Sequence, residues 1–332
     1  MPLILHFLNV GHGDCTIVQH PTGNLSIVDV NNITTDFDET TWSEILGEAG
    51  IDLSMAALYK AAGVSEYSTL QSLKSGFVAP MTDPLVWLKA RNINSAFRYV
   101  QTHPDMDHMR GLEPLLKTVP TTNFWDTANT KPAPKFRDDD DRRDWAFYQE
   151  TRANPGQGTI VRPTRGDQQK YYGADDQNGR GDCIEILSPT KRIIDDINAA
   201  GVGWNDQSLV LRITHAGRSV LLCGDAEEAA WADMLAAYGT QLACDVLKAP
   251  HHGRSSGYHR DAVKVKNPWL TVVSVGKKPS TDASSKYANY SDYVWSTRYK
   301  GDISVTIYDN GSMMATSSYN AETITSPVVP RA

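Results

Sequence analysis

The stretch Thr102-His103-Pro104-Asp105-Met106-Asp107-His108-Met109-Arg110-Gly111 sets two imidazoles and two carboxylates within six positions, directly after the apolar run Ala96 to Gln101. The run reads as a strand that delivers the polar segment to its own end. Alternate residues of an extended segment face the same way, so His103, Asp105 and Asp107 converge while His108 closes from the turn. Four such donors at one point suit a divalent metal such as Zn²⁺, Mn²⁺ or Fe²⁺. The competing reading is a polar turn that caps the next helix, whose apolar spacing runs through Leu112, Leu115 and Leu116.

Two other apolar runs end in potential ligands. Val220 to Cys223 leads into Gly224-Asp225, and Val246 to Ala249 leads through Pro250 into His251-His252-Gly253. Alone, the first is a turn and the second a solvated histidine pair. Three such strand ends in one chain are most simply explained by one site on the same rim of a sheet.

The surrounding sequence predicts mixed sheets faced by helices. Strands are expected at Leu3 to Val10, Asp14 to His20 and Leu25 to Val30, separated by glycine-containing turns. Residues 36–92 carry helical periodicity and read as a helical insertion; residues 127–182, polar and rich in Gly, Pro and Asp, read as a surface excursion with a helix near Arg142 to Thr151. Beyond Cys183 come strands at Ile184, Ser208, Ser219, Cys244, Leu270, Ile303 and Met313, with helices near Lys191 to Ala199, Glu227 to Ala237 and Ser284 to Thr297. The acidic run Asp138 to Asp141 reads as a solvated loop or a helix start.

Composition bounds the partners. The 332 residues carry 32 Lys+Arg against 39 Asp+Glu, a net charge of −7, which argues against a dedicated basic nucleic-acid binder. No run reaches the roughly 20 apolar residues of a membrane span, and Met1 to His6 lacks the basic start of a signal peptide. Cys15, Cys183, Cys223 and Cys244 form no close pair, so buried thiols in a reducing, cytoplasmic setting are expected.

With these motifs in view, the chain resembles the metallo-β-lactamase-fold hydrolases, and most of all the hydrolase domain of the competence DNA-uptake channel proteins. Asn9-Val10-Gly11-His12-Gly13-Asp14-Cys15 matches that family's opening, Ser26 to Val30 its second strand, Thr102 to Gly111 its ligand loop, Asn205 to Asp225 its hairpin into Gly-Asp, and Leu247 to Gly253 its Leu-Lys-x-x-His-His-Gly segment. The matches run in order from residue 3 to about 276, outside the two insertions. The resemblance implies one αβ/βα four-layer sandwich over 1–332, with a two-metal site at the sheet edge. Asp225 would bridge two divalent ions, Zn²⁺ or Mn²⁺ with Fe²⁺ as a third option; His103 and Asp105 would hold one, Asp107 and His108 the other, and His252 would complete a shell. His251 would then contact the scissile phosphate or protonate the leaving group, and the two histidines exchange roles without changing the class.

The family's last ligand, a histidine shortly after the Ser-x-Gly strand end, is missing: Ser274-Val275-Gly276 runs into Lys277, Lys278 and Pro279. Asp282 is the candidate substitute, which would make the site richer in oxygen and favour Mn²⁺ or Fe²⁺. His12 stands where the family has glutamine, as a structural or substrate-positioning residue, while Asp14 and Asp29 are expected to orient ligand imidazoles. The implied chemistry is phosphodiester hydrolysis by metal-bound hydroxide held by Asp225 and Asp107, with Lys248, Arg254, Lys277 or Lys278 on the phosphate. The substrate would be a nucleic acid or a smaller phosphodiester such as a cyclic nucleotide. The rivals are hydrolysis of a carbon ester, lactone, thioester or β-lactam on the same fold, and a degenerate binding module with one metal or none. The helical insertion would cover the site or pair two copies of the chain.

Overall fold

The computed structural model describes residues 1–32, 79–154, 158–167, 172–173, 181–276, 280–326 and 328. Lys277, Lys278 and most of the expected helical insertion therefore lie outside the described residues. Described strands are β1 Leu3–Phe7, β2 Thr16–Gln19, β3 Leu25–Val28, β4 Ala96–Val100, β5 Thr121–Trp125, β6 Thr159–Val161, β7 Ile184–Ser188, β8 Val210–His215, β9 Arg218–Leu222, β10 Val246–Lys248, β11 Leu270–Val273, β12 Tyr293–Ser296, β13 Ile303–Ile307, β14 Met313–Ser317 and β15 Thr323–Ser326. Described α-helices are α1 Pro84–Ala90, α2 Leu112–Thr118, α3 Asp139–Ala153, α4 Lys191–Ala200, α5 Glu228–Tyr238, α6 Arg260–Lys266, α7 Ser284–Tyr287 and α8 Thr297–Lys300.

The strands form two sheets, in the orders β15-β14-β13-β1-β2-β3-β4-β5-β6 and β12-β11-β10-β9-β8-β7. Alternation along each strand builds three cores. In β1, Leu3, Leu5 and Phe7 point inward and join Val28, Val100, Leu211, Val220, Leu222, Val246 and Val272 between the sheets. The opposite faces bury Ile17, Ile27, Tyr99 and Phe124 under Leu88 of α1, Leu115 of α2 and Trp145 and Tyr148 of α3, and Leu221, Leu247 and Val273 under Trp231 and Met234 of α5 and Val263 of α6. Each fully buried aliphatic or aromatic side chain contributes about 1.5–3 kcal/mol relative to exposure. Helices outside two packed sheets give a four-layer αβ/βα sandwich, the architecture that the sequence implied.

Within this frame, β3 to β6 run parallel, as do β9 to β12. The carboxyl ends of β3, β4, β9, β10 and β11 deliver Asp29, Thr102 to His108, Asp225, His251-His252 and Ser274. Ligands of open parallel sheets gather at such a rim because each strand there gives way to a loop before its helix turns back.

Two expectations change and a third is settled between its alternatives. The stretch from Ser284 to Thr297 is not one helix: a single turn, α7, gives way to β12, which pairs in parallel with β11, before α8 begins. The polar excursion supplies β6 to the first sheet and Trp145 and Tyr148 to its core, so it is more than surface. The acidic run does start a helix: the Asp138 side chain accepts from the Asp141 backbone N–H, capping α3. Among the described residues no helix is long and apolar enough to cross a membrane.

Candidate metal centre

Tight backbone contacts bring the rim together. Gly13, at φ +152°, lets the opening loop press against the ligand loop: a Cβ there would lie 2.4 Å from the Asp107 carbonyl oxygen. The Asp14 N–H donates to that same oxygen at 3.2 Å. The ligand loop is pinned from below, where Gln101 Nε2 donates to the His103 and His108 carbonyls at 2.8 and 3.0 Å. Asp29, His251 and His252 hold positive φ angles of 56°, 49° and 52° without being glycine. Such backbone costs about 1–3 kcal/mol per residue, and it clusters where a site needs side chains aimed in particular directions.

Three imidazoles, His103, His108 and His252, are fully buried with their Nε2 atoms turned on Asp225. His108 Nε2 lies 3.1 Å from Asp225 Oδ1; His252 Nε2 and His103 Nε2 lie 3.6 and 3.8 Å from its Oδ2. His252 Nε2 is also 3.3 Å from Asp107 Oδ2, and His103 Nε2 is 3.9 Å from Asp105 Oδ2. The other ring nitrogen of each is committed elsewhere. His108 Nδ1 donates to Asp29 at 2.8 Å, His252 Nδ1 donates to the Ser274 carbonyl at 3.1 Å, and His103 Nδ1 lies 3.2 Å from Thr102 Oγ1. The Thr102 hydroxyl itself donates to Asp29 at 2.7 Å, so the His103 ring is the donor in that contact.

This donor set could hold a metal ion. The Nε2 atoms of His103, His108 and His252 and Oδ1 of Asp225 are buried without a hydrogen-bond partner among the described residues. Oxygens of Asp14 and Asp225 and ring nitrogens of His108 and His252 lie within 4.8 Å of one another, and Asp107, His12 and His252 form an overlapping group. Orphaned lone pairs that converge while their imidazoles are tied at the back are what a divalent cation requires. The residues fit the group the sequence implied.

The electrostatics agree. Burial opposes charge on Asp225, but His108, His252 and His103 outweigh it and hold the carboxyl well below the usual range. Asp107 is lowered likewise, burial being overcome by His252, whose Nε2 stands 3.3 Å away, and by His108. Burial pushes His108 and His252 down, yet Asp225, with Asp29 for one and Asp107 for the other, raises both. A proton and a divalent ion compete for the same lone pairs.

The remaining expected residues fall in different places. His251 sits at the mouth, its Nε2 3.8 Å from Asp225 and its Nδ1 donating to Glu227 at 2.7 Å, with Ser256 Oγ 2.8 Å away. Arg254 donates to His12 Nε2 at 3.0 Å, and its Nε has no partner among the described residues. Lys248 differs from expectation: its ammonium is buried, 2.8 Å from both oxygens of Asp14, and neutralises that carboxylate beneath the centre instead of facing a substrate. Asp282 is not gathered with the ligands. A backbone bridge to Arg254 fixes its position, and its carboxylate accepts from Ser284 Oγ at 2.6 Å. Sequence reasoning missed Glu227, Ser256 and Lys131, whose ammonium pairs with Asp105. Glu227 alone left a signal, two residues past Asp225.

No family model and no curated protein matches this sequence. Among solved structures the chain is similar to a CmlA beta-hydroxylase E377D mutant, at 11% identity and a TM-score of 0.43 over 92% of this chain and 53% of that one. The chain thus spans about half the length of that protein. It is also similar to a diphosphatase of the PhnP family, at 10% identity and a TM-score of 0.39 over 88% of this chain and 94% of that one.

Proposed function

We propose that the chain is a metal-dependent hydrolase that cleaves a phosphodiester. The observation that carries the first half is the convergence of the three partnerless Nε2 atoms on Asp225. Divalent ions held there would supply Lewis acidity and neutralise charge on the attacking and leaving oxygens. His103, Asp105, Asp107, His108, Asp225 and His252 would hold them, and Asp29, Thr102 and Ser274 keep the rings oriented. What favours a phosphodiester is Arg254. Arg254 leaves a donor unused beside the cluster, and a guanidinium matches the fork of two phosphate oxygens. His251, braced by Glu227 and Ser256, presents Nε2 toward the scissile group. The charge of −7 favours a small phosphodiester, such as a cyclic nucleotide, over a long polymer.

The test is hydrolysis of bis(p-nitrophenyl) phosphate by metal-stripped protein resupplied with Mn²⁺ or Zn²⁺, beside Asp107→Ala. The expected result is metal-dependent turnover that falls by at least about a thousandfold in the variant. Absence of turnover with either ion, alongside cleavage of p-nitrophenyl acetate or a lactone, would replace the phosphodiester by a carbon ester.

A further inference from the structure

The loop after β5 is held by a dense set of buried polar contacts. Asp126 accepts from Tyr148 Oη at 2.7 Å and faces Arg152 Nε at 3.0 Å. Arg152 donates to the carbonyls of Thr127 and Asn129 at 3.1 and 2.9 Å, and Asn129 Nδ2 lies 2.8 Å from Tyr148 Oη. From the other side Asn198 of α4 accepts from the Thr130 N–H at 3.0 Å and donates to the Ala128 carbonyl at 2.9 Å. Asp126, Thr127 and Asn129 are buried. This frame delivers Lys131, only 15% exposed, onto Asp105.

The two halves of the centre are therefore unlike. Asp107, His108 and His252 close on Asp225 and one another at 3.1 to 3.6 Å. On the other side His103 stands 3.8 Å from Asp225 and 3.9 Å from Asp105, and Asp105 already carries a tethered ammonium. An ammonium and a divalent ion on one carboxylate repel each other, and in a partly buried site the repulsion is weakly screened. Resting on the metal-dependent reading above, we infer that Lys131 makes the centre unequal. One ion is held tightly by Asp107, His108, Asp225 and His252, and a second, at His103 and Asp105, is weak and exchangeable because it competes with the Lys131 ammonium.

Metal-stripped full-length chain is titrated with Mn²⁺, with the free ion followed by its solution EPR signal, for wild type, Lys131→Met, Lys131→Arg and Asp105→Ala. Wild type is expected to bind in two separated steps. Lys131→Met tightens the second at least about tenfold, Lys131→Arg leaves it weak, and Asp105→Ala removes it while keeping the first. Two equally tight steps in wild type overturn the inference, as does a second step that Lys131→Met moves by less than about twofold. If Lys131→Met fails to fold, the other two variants decide: loss of the first step in Asp105→Ala, or a tightened second step in Lys131→Arg, overturns it. A chain that binds no Mn²⁺ in any form sinks the metal-dependent reading itself, whereas two equal ions would leave that reading standing.

Discussion

Two buried polar clusters draw residues from the first sheet, and they are finished in opposite ways. At the metal centre the lone pairs of His103, His108, His252 and Asp225 meet without a donor between them. In the middle of β4, Arg98 pairs with Asp182 at 2.5 Å, donates to Ser26 at 2.8 Å and lies 3.4 Å from His20, while Asn24 and Thr22 donate to the same Asp182. A buried charge is tolerated when an opposite charge from the chain meets it, so the Arg98 cluster is complete as folded. Among the described residues Asp225 is met only by imidazoles, never by a lysine or arginine, and that distinguishes a binding site from a structural knot.

The largest expected effect sharpens this contrast directly. Asp182→Ala would strand Arg98 in the interior and is expected to cost about 3–5 kcal/mol of stability while leaving Mn²⁺ binding intact. Asp225→Ala should do the reverse: metal binding is lost and the metal-free protein unfolds at nearly the wild-type urea concentration. If Asp225→Ala destabilised the metal-free chain as much as Asp182→Ala, the centre would be a structural knot as well.

A smaller effect reads the Arg98 cluster through pH. Burial, with a further push from Arg98 set against Asp182, lowers His20 from 6.5 to about 4. The folded value lies below the unfolded one, so the unfolded chain takes the proton more readily. The folded state then keeps its full stability above pH 6.5 and loses it as pH falls toward 4. Between pH 7 and 5 the loss from this one group is on the order of 2 kcal/mol. In His20→Gln, urea midpoints at the two pH values should differ by correspondingly less than in wild type; an unchanged difference would place the acid sensitivity elsewhere.

The sequence made the strand ends legible because each is an apolar run stopped by Gly, Pro or His, and a sheet rim is the natural meeting place for three of them. It also made most of the strands legible, through alternation such as Leu3, Leu5 and Phe7. It misled where periodicity was short. Tyr293–Ser296 buries only Trp295, too little to tell a strand from a helical turn. Lys131 was invisible for another reason: it lies 26 residues beyond Asp105, and only the fold of the intervening β5 and its loop returns it to the ligand. Asp282 shows the converse. Spacing nominated it, but its pairing with the Arg254 backbone takes its carboxylate to Ser284.

The smallest effect concerns the residue that joins the centre to the sheet beneath. Asp29 accepts from the Thr102 N–H at 2.8 Å, from the Thr102 hydroxyl at 2.7 Å and from His108 Nδ1 at 2.8 Å. One carboxylate therefore orients His108 directly and His103 through Thr102, without touching the ion. In Asp29→Asn an amide of nearly the same shape keeps one acceptor but loses the charge that makes the His108 ring a stronger donor to metal. The expected outcome is Mn²⁺ affinity weakened about tenfold, roughly 1.4 kcal/mol, with the melting temperature of the metal-free chain little changed. Equal loss of stability with and without metal would instead make Asp29 a fold residue like Asp182, and the contrast between the two clusters would rest on Asp225 and its three imidazoles alone.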